Sequence, residues 1–337
     1  MSELRYDLLH DEYILIAPER LHRPLSLQRA AEPPEPALCP FCPGHEDLTP
    51  PEIYALRDSK GWHTRVVPNR YKAVQIETPF EAHREGVNER WGGFGAHEIV
   101  INTPRHDATL ATMSEEEIFD WLYTVRERVA DLSRDQRLVQ IDCFKNHGLA
   151  AGASQPHPHS QILALPVMSK AQKAQFRHAH RYWREHGRSL YEDIIEQESR
   201  ERTRTLIEGE RFFSYCPYAS SFAFESVILS RNCANITELN EEALRELAAT
   251  VGQLFVRLHR ELGPFAYNLL FILPPVNRNF ENEEFFDELP RLHRFYLRIT
   301  PRIYTLAGYE LMSQSAINPV APELAAGRLR SDDEPSR

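Results

Sequence analysis

The sequence predicts an α+β fold made by tandem duplication of one unit, with antiparallel sheets and helices packed on one side. Three observations predict this fold. Each half of the chain shows the order strand, strand, helix, strand, strand. Each half also contains one amphipathic helix with a clear start signal. Between the halves, residues 169–211 are rich in charged and aromatic residues without a single period, and we interpret them as a helical connection.

Hydrophobic patterning predicts the elements of the first half. The predicted strands are 13–18, 64–68, 73–77, 98–102 and 138–144. The run Ser114-Glu115-Glu116-Glu117 is a capping box, and it predicts a helix to about Ser133. Its apolar residues recur with the helical period. A turn, Asn146-His147-Gly148, follows the last of these strands.

The second half repeats this order with different site residues. Its predicted strands are 212–217, 224–229, 267–273 and 294–302. Asn240 opens the helix of this half, whose apolar stripe is Leu244, Leu247, Val251, Leu254 and Leu258. We therefore divide the chain into a first half at 1–167, a connection at 168–211 and a second half at 212–330. Residues 331–337 are expected to be a disordered tail.

Composition narrows the classes of function. The chain has 337 residues, 42% of them hydrophobic, and a net charge of −10, which argues against nucleic acid or an anionic membrane as its main partner. No apolar run reaches the length of a membrane span, and the N-terminus lacks the apolar core of a signal peptide. Five cysteines do not suggest a disulfide framework, so we expect a reducing, cytoplasmic location.

The stretch Gly152-Ala153-Ser154-Gln155-Pro156-His157-Pro158-His159-Ser160-Gln161 carries the strongest chemical signal. Proline favours extended backbone here, and in extended backbone side chains two apart share a face. His157, His159 and Gln161 would then line one surface. A neutral imidazole is a nucleophile, and amide and backbone N–H donors suit a phosphoryl group. The alternative interpretation is a proline-rich loop whose histidines are hydrogen-bonded and have no catalytic role.

A second cluster is suggested by the CxxC pair Cys39 and Cys42. CxxC is moderately specific for zinc and needs two further ligands. The candidates in this half are His45, His63, His83, His97, His106, His147, His157 and His159. We favour His106, which lies on a polar loop, and His157, which lies beside the presumed nucleophile. Four protein ligands would make the zinc closed and structural. The alternative is a pair of reduced surface cysteines.

These motifs together resemble the galactose-1-phosphate uridylyltransferase family of the histidine-triad superfamily, from about Arg5 to Arg330. The resemblance is carried by Ile16-Ala17-Pro18-Glu19-Arg20, Arg23-Pro24, the CxxC pair, Val67-Pro68-Asn69-Arg70, Asn146-His147-Gly148, the histidine motif, Leu306-Ala307-Gly308-Tyr309-Glu310 and Ile317-Asn318-Pro319-Val320. It implies that each half is a histidine-triad-like unit. The most specific part is His-Pro-His-x-Gln with CxxC upstream.

The resemblance implies a ping-pong nucleotidyltransferase, a cytoplasmic homodimer of galactose metabolism. His159 matches the nucleophile that takes a uridylyl group from UDP-glucose and passes it to galactose 1-phosphate, and Gln161 matches a phosphate contact. The matched substrate-binding positions are Arg20, Arg23, Asn69, Asn146, Gly152, Ser154, Tyr309 and Glu310. Tyr309 and Glu310 match residues that reach the partner subunit's site. Cys39, Cys42, His106 and His157 match the zinc ligands. The implied partners are UDP-sugars and sugar 1-phosphates.

Departures from the family pattern leave alternatives open. Gln175 and Arg294-Phe295-Tyr296 stand where some relatives have second-metal ligands, so we expect no second metal. Arg70 stands where some uridylyltransferases have aspartate. Other features also resemble adenylyltransferases or phosphorylases that act on ADP-sugars or dinucleoside polyphosphates. A third hypothesis is a non-catalytic, zinc-stabilised nucleotide-binding or assembly protein, which the intact His159 and Gln161 argue against.

Overall fold

The computed structural model describes residues 2–18, 38–305 and 307–330. In the first half it has nine strands and one helix: β1 (Glu3–Asp7), β2 (Glu12–Ile16), β3 (Tyr54–Asp58), β4 (Gly61–Pro68), β5 (Ala82–Glu85), β6 (Asn88–Trp91), β7 (Ala96–Ile101), α1 (Glu115–Leu132), β8 (Gln140–His147) and β9 (His159–Leu165). The connection forms α2 (Lys170–His186) and α3 (Leu190–Glu201). β10 (Thr205–Glu208) also lies within the predicted connection, but it pairs with β11 and so belongs to the sheet of the second half. The second half continues with β11 (Phe212–Tyr215), β12 (Ser226–Ser230), α4 (Glu241–Leu262), β13 (Tyr267–Ile272), α5 (Leu289–Leu292), β14 (Tyr296–Pro301), α6 (Gly308–Ser313), β15 (Ile317–Asn318) and α7 (Pro322–Arg330).

Ten of these strands form one antiparallel sheet that runs through both halves. Its order is β10-β11-β12-β14-β13-β8-β9-β7-β4-β3. Read outward from the centre, the first half has the order β8-β9-β7-β4-β3 and the second half has β13-β14-β12-β11-β10. The two orders are equivalent, and the halves join where β8 pairs with β13. The predicted α+β fold with a tandem duplication is confirmed.

The strand register shows which residues of the two halves are equivalent. Phe144 on β8 lies opposite Leu270 on β13 at the junction. On one side Gln161 pairs with Phe144, and on the other side Arg298 pairs with Leu270. Gln161 and Arg298 therefore occupy the same place in the two copies. Two residues earlier along each strand, His159 corresponds to Tyr296.

The helices of the repeat, α1 and α4, pack on one face of the sheet, as predicted. Each begins at a capping residue, Ser114 or Asn240, whose side chain accepts a backbone N–H of the first turn. Their apolar sides form a shared core with alternate residues of the central strands, including Ile162 and Leu297. Residues between those, such as His159 and Tyr296, point to the opposite face because side chains alternate along a strand.

The connecting helices cover that opposite face in the second half. Phe176 of α2 and Tyr191 of α3 pack in one apolar cluster with Phe213 and Tyr296. The N-terminal hairpin β1–β2 adds β15 in parallel and forms a separate three-stranded sheet. Among the described residues, no helix is both long enough and apolar enough to cross a membrane.

The predicted strand at 73–77 is wrong. Its one strand-like pairing is an isolated bridge from Gln75 to Phe94. The N–H of Ala73 donates to Nδ1 of His97 at 3.1 Å instead of to a neighbouring strand. Pro79 follows two residues after the segment and has no N–H to donate. The segment therefore forms a loop over β7, and this loop becomes important at the site. The expected tail at 331–337 lies outside the described residues.

Candidate active site and metal centre

A glycine-framed turn delivers the histidine motif to the sheet. Gly148 and Gly152 have φ values of +78° and +83°, which side chains rarely allow. A Cβ on Gly148 would lie 2.8 Å from the Cβ of Ala266, so this position also requires glycine for close packing. The turn closes with a bond from the N–H of Ala153 to the carbonyl of Gly148 at 3.2 Å. The chain then runs extended through Pro158 into β9.

His159, the first residue of β9, is held in one tautomer. Its Nδ1–H donates to the carbonyl of His157 at 2.9 Å, which leaves the lone pair on Nε2. His159 is 5% exposed, and its ring lies 5.6 Å from the ring of Phe41, measured between centroids. Burial lowers the pKa of His159 to about 4, so the imidazole is neutral near pH 7. A neutral ring with a directed Nε2 lone pair is the form a nucleophilic histidine requires.

Gln161 lies two residues along β9, on the same face. Its Oε1 lies 3.0 Å from Nε2 of His97 on β7. Asn69 lies at the end of β4, where its N–H donates to the carbonyl of His97 at 2.8 Å. His97 therefore stands between two predicted site residues, a role that the sequence reasoning missed. The alternation of β7 was a usable signal, because it places His97 on the same face as Ile99, which lies opposite Gln161.

Lys145 on β8 is a second residue that sequence reasoning missed. Its Nζ is buried and donates to the carbonyl of His159 at 3.2 Å. Burial lowers the pKa of Lys145 to about 7. The signal was present in the strand pattern, since Lys145 follows Ile141 and Cys143 on the apolar face that packs against α1 and α4. Lysine is almost never fully buried without a partner of opposite charge, so a lysine at this position indicates a role other than packing in the core.

The predicted zinc ligands come together. Cys39, Cys42, His106 and His157 each offer one ligand atom, and these atoms all lie within 4.8 Å of one another. The distances from sulfur to Nδ1 are 3.2 Å for Cys42 and His106, 3.6 Å for Cys42 and His157, and 3.7 Å for Cys39 and His157. Tetrahedral zinc, with sulfur at about 2.3 Å and nitrogen at about 2.0 Å, places such atoms about 3.5 Å apart. The residues present therefore fit a metal ion.

His157 is prepared as a ligand by its other nitrogen. Nε2–H donates to the carbonyl of Thr103 at 2.9 Å, which leaves Nδ1 free to bind the metal. Burial lowers the pKa of His157 to about 4, so the ring is neutral, as a ligand must be. Because His157 also accepts the Nδ1–H of His159 through its carbonyl, the metal cluster and the candidate nucleophile share one short segment.

The other predicted site residues are distributed as follows. Asn146 on β8 accepts a bond from Nδ2 of Asn268 at 2.8 Å, and Gly152 and Ser154 are exposed in the turn. Tyr309 is 43% exposed on α6. Glu310 accepts the N–H of Ala307 at 2.9 Å and so caps its own helix. Arg20 and Arg23 lie outside the described residues.

Residues at and next to the positions where some relatives bind a second metal form hydrogen bonds with other side chains. Nε2 of Gln175 donates to the hydroxyl of Tyr296 at 2.9 Å. The neighbouring His293 is buried, and its Nδ1 lies 3.0 Å from the hydroxyl of Tyr191. The expectation of a single metal stays a prediction, since the described residues hold one other cluster of metal-binding type, Asp7, His10 and Glu12.

A cavity of about 680 Å³ opens elsewhere, between the β1–β2 hairpin, α3 and β11. Tyr6, Tyr182 and Tyr218 are among its lining residues, and it contains none of the predicted site residues. Arg204, at its wall, is tied to Glu198, Glu201 and Glu323 by ion pairs. The side chains around this cavity are therefore largely committed to one another.

Comparison with known proteins agrees with the geometry. The family model described as the galactose-1-phosphate uridyl transferase N-terminal domain matches residues 1–169, and the model of the C-terminal domain matches residues 175–334. The chain belongs to this family. Galactose-1-phosphate uridylyltransferases of other organisms match the chain over most of its length and most of theirs. The chain is therefore a nucleotidyltransferase.

Two relatives and one solved structure show the range of reactions within the family. The ADP-glucose phosphorylase of Arabidopsis thaliana is 28% identical over 97% of this chain and 92% of its own. The galactose-1-phosphate uridylyltransferase of Saccharomyces cerevisiae is 27% identical over 98% of this chain and 94% of its own. The crystal structure of an ADP-glucose phosphorylase from Arabidopsis thaliana with bound ADP-glucose has a TM-score of 0.83 at 26% identity, with 100% of both chains covered.

Proposed function

We propose that this protein transfers a nucleotidyl group from a nucleotide sugar to a phosphate-bearing acceptor through a covalent intermediate on His159. The observation that carries the proposal is the fixed tautomer of that ring. Its Nδ1–H is committed to the carbonyl of His157, and its lone pair lies on Nε2. Among residues 2–18, 38–305 and 307–330, no hydrogen bond to Nε2 competes for that lone pair.

The reaction takes two displacements. Nε2 of His159 attacks the α-phosphorus, the bond to the sugar phosphate breaks, and sugar 1-phosphate leaves with the bonding electrons. A phosphate oxygen of the acceptor then attacks the same phosphorus, and the N–P bond breaks to restore the lone pair. Positive charge that develops on the ring in the first step is stabilised by the bond from Nδ1–H to the carbonyl of His157. Two easier steps replace one difficult step.

The cluster of candidate metal ligands helps to hold His159 in the orientation that this reaction requires. We propose that Cys39, Cys42, His106 and His157 hold one structural zinc ion, since two cysteine sulfurs and two imidazole nitrogens at these distances suit that metal. Zinc, when bound, supplies a rigid anchor rather than a reacting group. His157 would be fixed as a ligand, and it restrains the ring of His159 through the backbone between them and through the carbonyl that accepts Nδ1–H.

The sequence predicts UDP-glucose and galactose 1-phosphate as substrates, but two observations favour ADP-glucose as the first donor to test. The Arabidopsis ADP-glucose phosphorylase matches the chain at 28% identity, and the TM-score to the complex with ADP-glucose is 0.83. The uridylyltransferase structure with 25% identity has a TM-score of 0.74. With ADP-glucose as donor and phosphate as acceptor, the products would be glucose 1-phosphate and ADP.

An isotope-exchange experiment tests the proposal and separates the two donors. The protein is incubated with labelled glucose 1-phosphate and either ADP-glucose or UDP-glucose, without a second acceptor. A covalent intermediate predicts that label enters the nucleotide sugar that the site accepts. His159→Gly should abolish exchange, whereas His83→Gly, a change in the exposed β5–β6 hairpin, should not. Absence of exchange with both donors, in metal-replete protein, would contradict the proposal.

We also propose that Tyr309 and Glu310 act in the site of a partner subunit. They lie on α6, next to the small sheet, which is held to this segment by a bond from the N–H of Leu15 to the carbonyl of Ala316 at 3.1 Å. No contact within the described chain links them to His159. Mixing His159→Gly protein with Tyr309→Phe/Glu310→Gln protein should therefore restore activity in heterodimers. If mixtures that exchange subunits stay inactive, each site is built from one chain.

A further inference from the structure

His97 makes contacts on both of its ring nitrogens. The N–H of Ala73, in the loop after Asn69, lies 3.1 Å from Nδ1. Oε1 of Gln161 lies 3.0 Å from Nε2. The half-buried ring therefore joins the 69–75 loop to the side chain of Gln161.

The contacts determine the tautomer of His97. A backbone N–H can only donate, so Nδ1 accepts from Ala73 and carries no proton. The ring proton is then on Nε2, where Oε1 of Gln161 is the acceptor. Nδ2 of Asn69 also lies 3.0 Å from Nε2, but it is itself a donor, because Oδ1 of Asn69 accepts the N–H of Tyr71. Asn69 therefore offers no acceptor for the proton, and its contact with Nε2 is not a hydrogen bond, which leaves Oε1 of Gln161 as the acceptor among the described residues.

We infer that His97 is a positioning residue, which fixes the amide of Gln161 so that its NH₂ group faces the phosphate at His159. An unrestrained glutamine amide presents its oxygen or its nitrogen with similar ease, and an oxygen facing a phosphate would be repulsive. With Oε1 held by His97, Nε2 of Gln161 has no other partner in the part of the chain that the structure describes, and remains available as a donor. This inference rests on the proposed function.

The second half of the molecule contains a pair of residues at the places equivalent to Gln161 and His97, namely Arg298 and Glu225. Gln161 and Arg298 occupy equivalent places, and each contacts the residue that lies two positions before its direct partner on the next strand. In the second half that residue is Glu225, which accepts from Nε of Arg298 at 2.6 Å. The two side chains form an ion pair in which Glu225 is buried and Arg298 is half-buried. The same diagonal contact thus fixes a side chain in both copies, through an ion pair in the second half and through the imidazole of His97 and the amide of Gln161 in the first.

A double-mutant cycle measures the coupling. His97→Phe keeps a ring but removes both nitrogens, and it should lower the rate of label exchange by about 10- to 100-fold. Binding of the same nucleotide sugar, measured in the His159→Gly background, should change far less, because the loss concerns orientation. His97→Gln retains an amide donor and should recover most of the rate. His83→Phe, in the exposed hairpin, is the matched control and should have no effect.

The decisive comparison uses Gln161→Ala. If His97 acts through Gln161, His97→Phe should cause little further loss when Gln161 is already alanine. Independent losses that multiply in the double variant would overturn the inference, as would equal losses in nucleotide binding and exchange. Failure of the proposed function has a different result, since the unmodified protein would then exchange no label with either donor.

Discussion

Replacing Lys145 by methionine should stabilise the protein, and the gain should shrink as the pH rises. Burial lowers the pKa of Lys145 from its ordinary 10.5 to about 7. At about 1.4 kcal/mol per pH unit, this difference corresponds to about 5 kcal/mol of unfavourable free energy when both states are protonated. Methionine also removes the bond to the carbonyl of His159, which costs about 1–3 kcal/mol. The expected net gain at about pH 6 is therefore about 2–4 kcal/mol.

The direction of this pH dependence follows from the number of protons that the folded and unfolded states bind. Below pH 7 the folded and unfolded states both hold the proton, so the cost of burying the ammonium group is fully present. Between pH 7 and 10.5 the folded state releases it while the unfolded state keeps it, so the wild-type protein gains stability as the pH rises.

Urea unfolding at about pH 6 and about pH 9.5 provides the measurement. The advantage of Lys145→Met should be smaller at the higher pH, where the lost hydrogen bond opposes it. Lys60→Met, at an exposed lysine in the β3–β4 turn, is the control and should give a small difference at both pH values. A Lys145→Met protein that is less stable than wild type at pH 6, or whose difference does not change with pH, would refute this reasoning.

Three further changes test other parts of the structure. Cys39→Ser should lower bound metal, measured by elemental analysis, and thermal stability before it lowers activity, whereas Cys233→Ser, outside the cluster, should leave metal content unchanged. Full metal occupancy in Cys39→Ser would mean other ligands. Arg128→Met should cost about 3–5 kcal/mol in urea unfolding because it leaves buried Glu98 unpaired, and a compensating Glu98→Met should recover most of that loss. Ser114→Ala should cost about 1 kcal/mol through loss of the α1 cap, and no measurable loss would show that the cap is unimportant.

Local rules predicted most of the repeated elements. The capping box at Ser114 and the stripe of Leu244, Leu247, Val251, Leu254 and Leu258 depend on neighbours within a few turns, so the sequence displays them directly. The 73–77 segment has the alternation of a strand, but the N–H of Ala73 bonds to a histidine side chain that is distant in sequence, and only Gln75 makes a strand-like bridge. The hydrophobic pattern of a segment does not show that a distant side chain will take one of its backbone hydrogen bonds.

The same distinction applies to the site. His157, His159 and Gln161 were found because an extended backbone places them on one face, which is a local property. The contact of His97 with Gln161 depends on cross-strand pairing, and the burial of Lys145 depends on its depth in the sheet, and neither is a local property of the sequence. The junction of β8 with β13 is likewise a pairing between halves that nothing local specifies. It is this junction that makes the equivalence of Gln161 and Arg298 visible.

The most direct test of the central claim is mass spectrometry of the protein after incubation with a nucleotide sugar. Quenching at alkaline pH preserves an N–P bond, and proteolysis then isolates the peptide that contains His159. We predict that this peptide gains the mass of one nucleotidyl group, that acid removes it, and that the gain is absent from His159→Gly protein. Unmodified peptide from protein that is turning over substrate, or modification at another residue, would contradict the account.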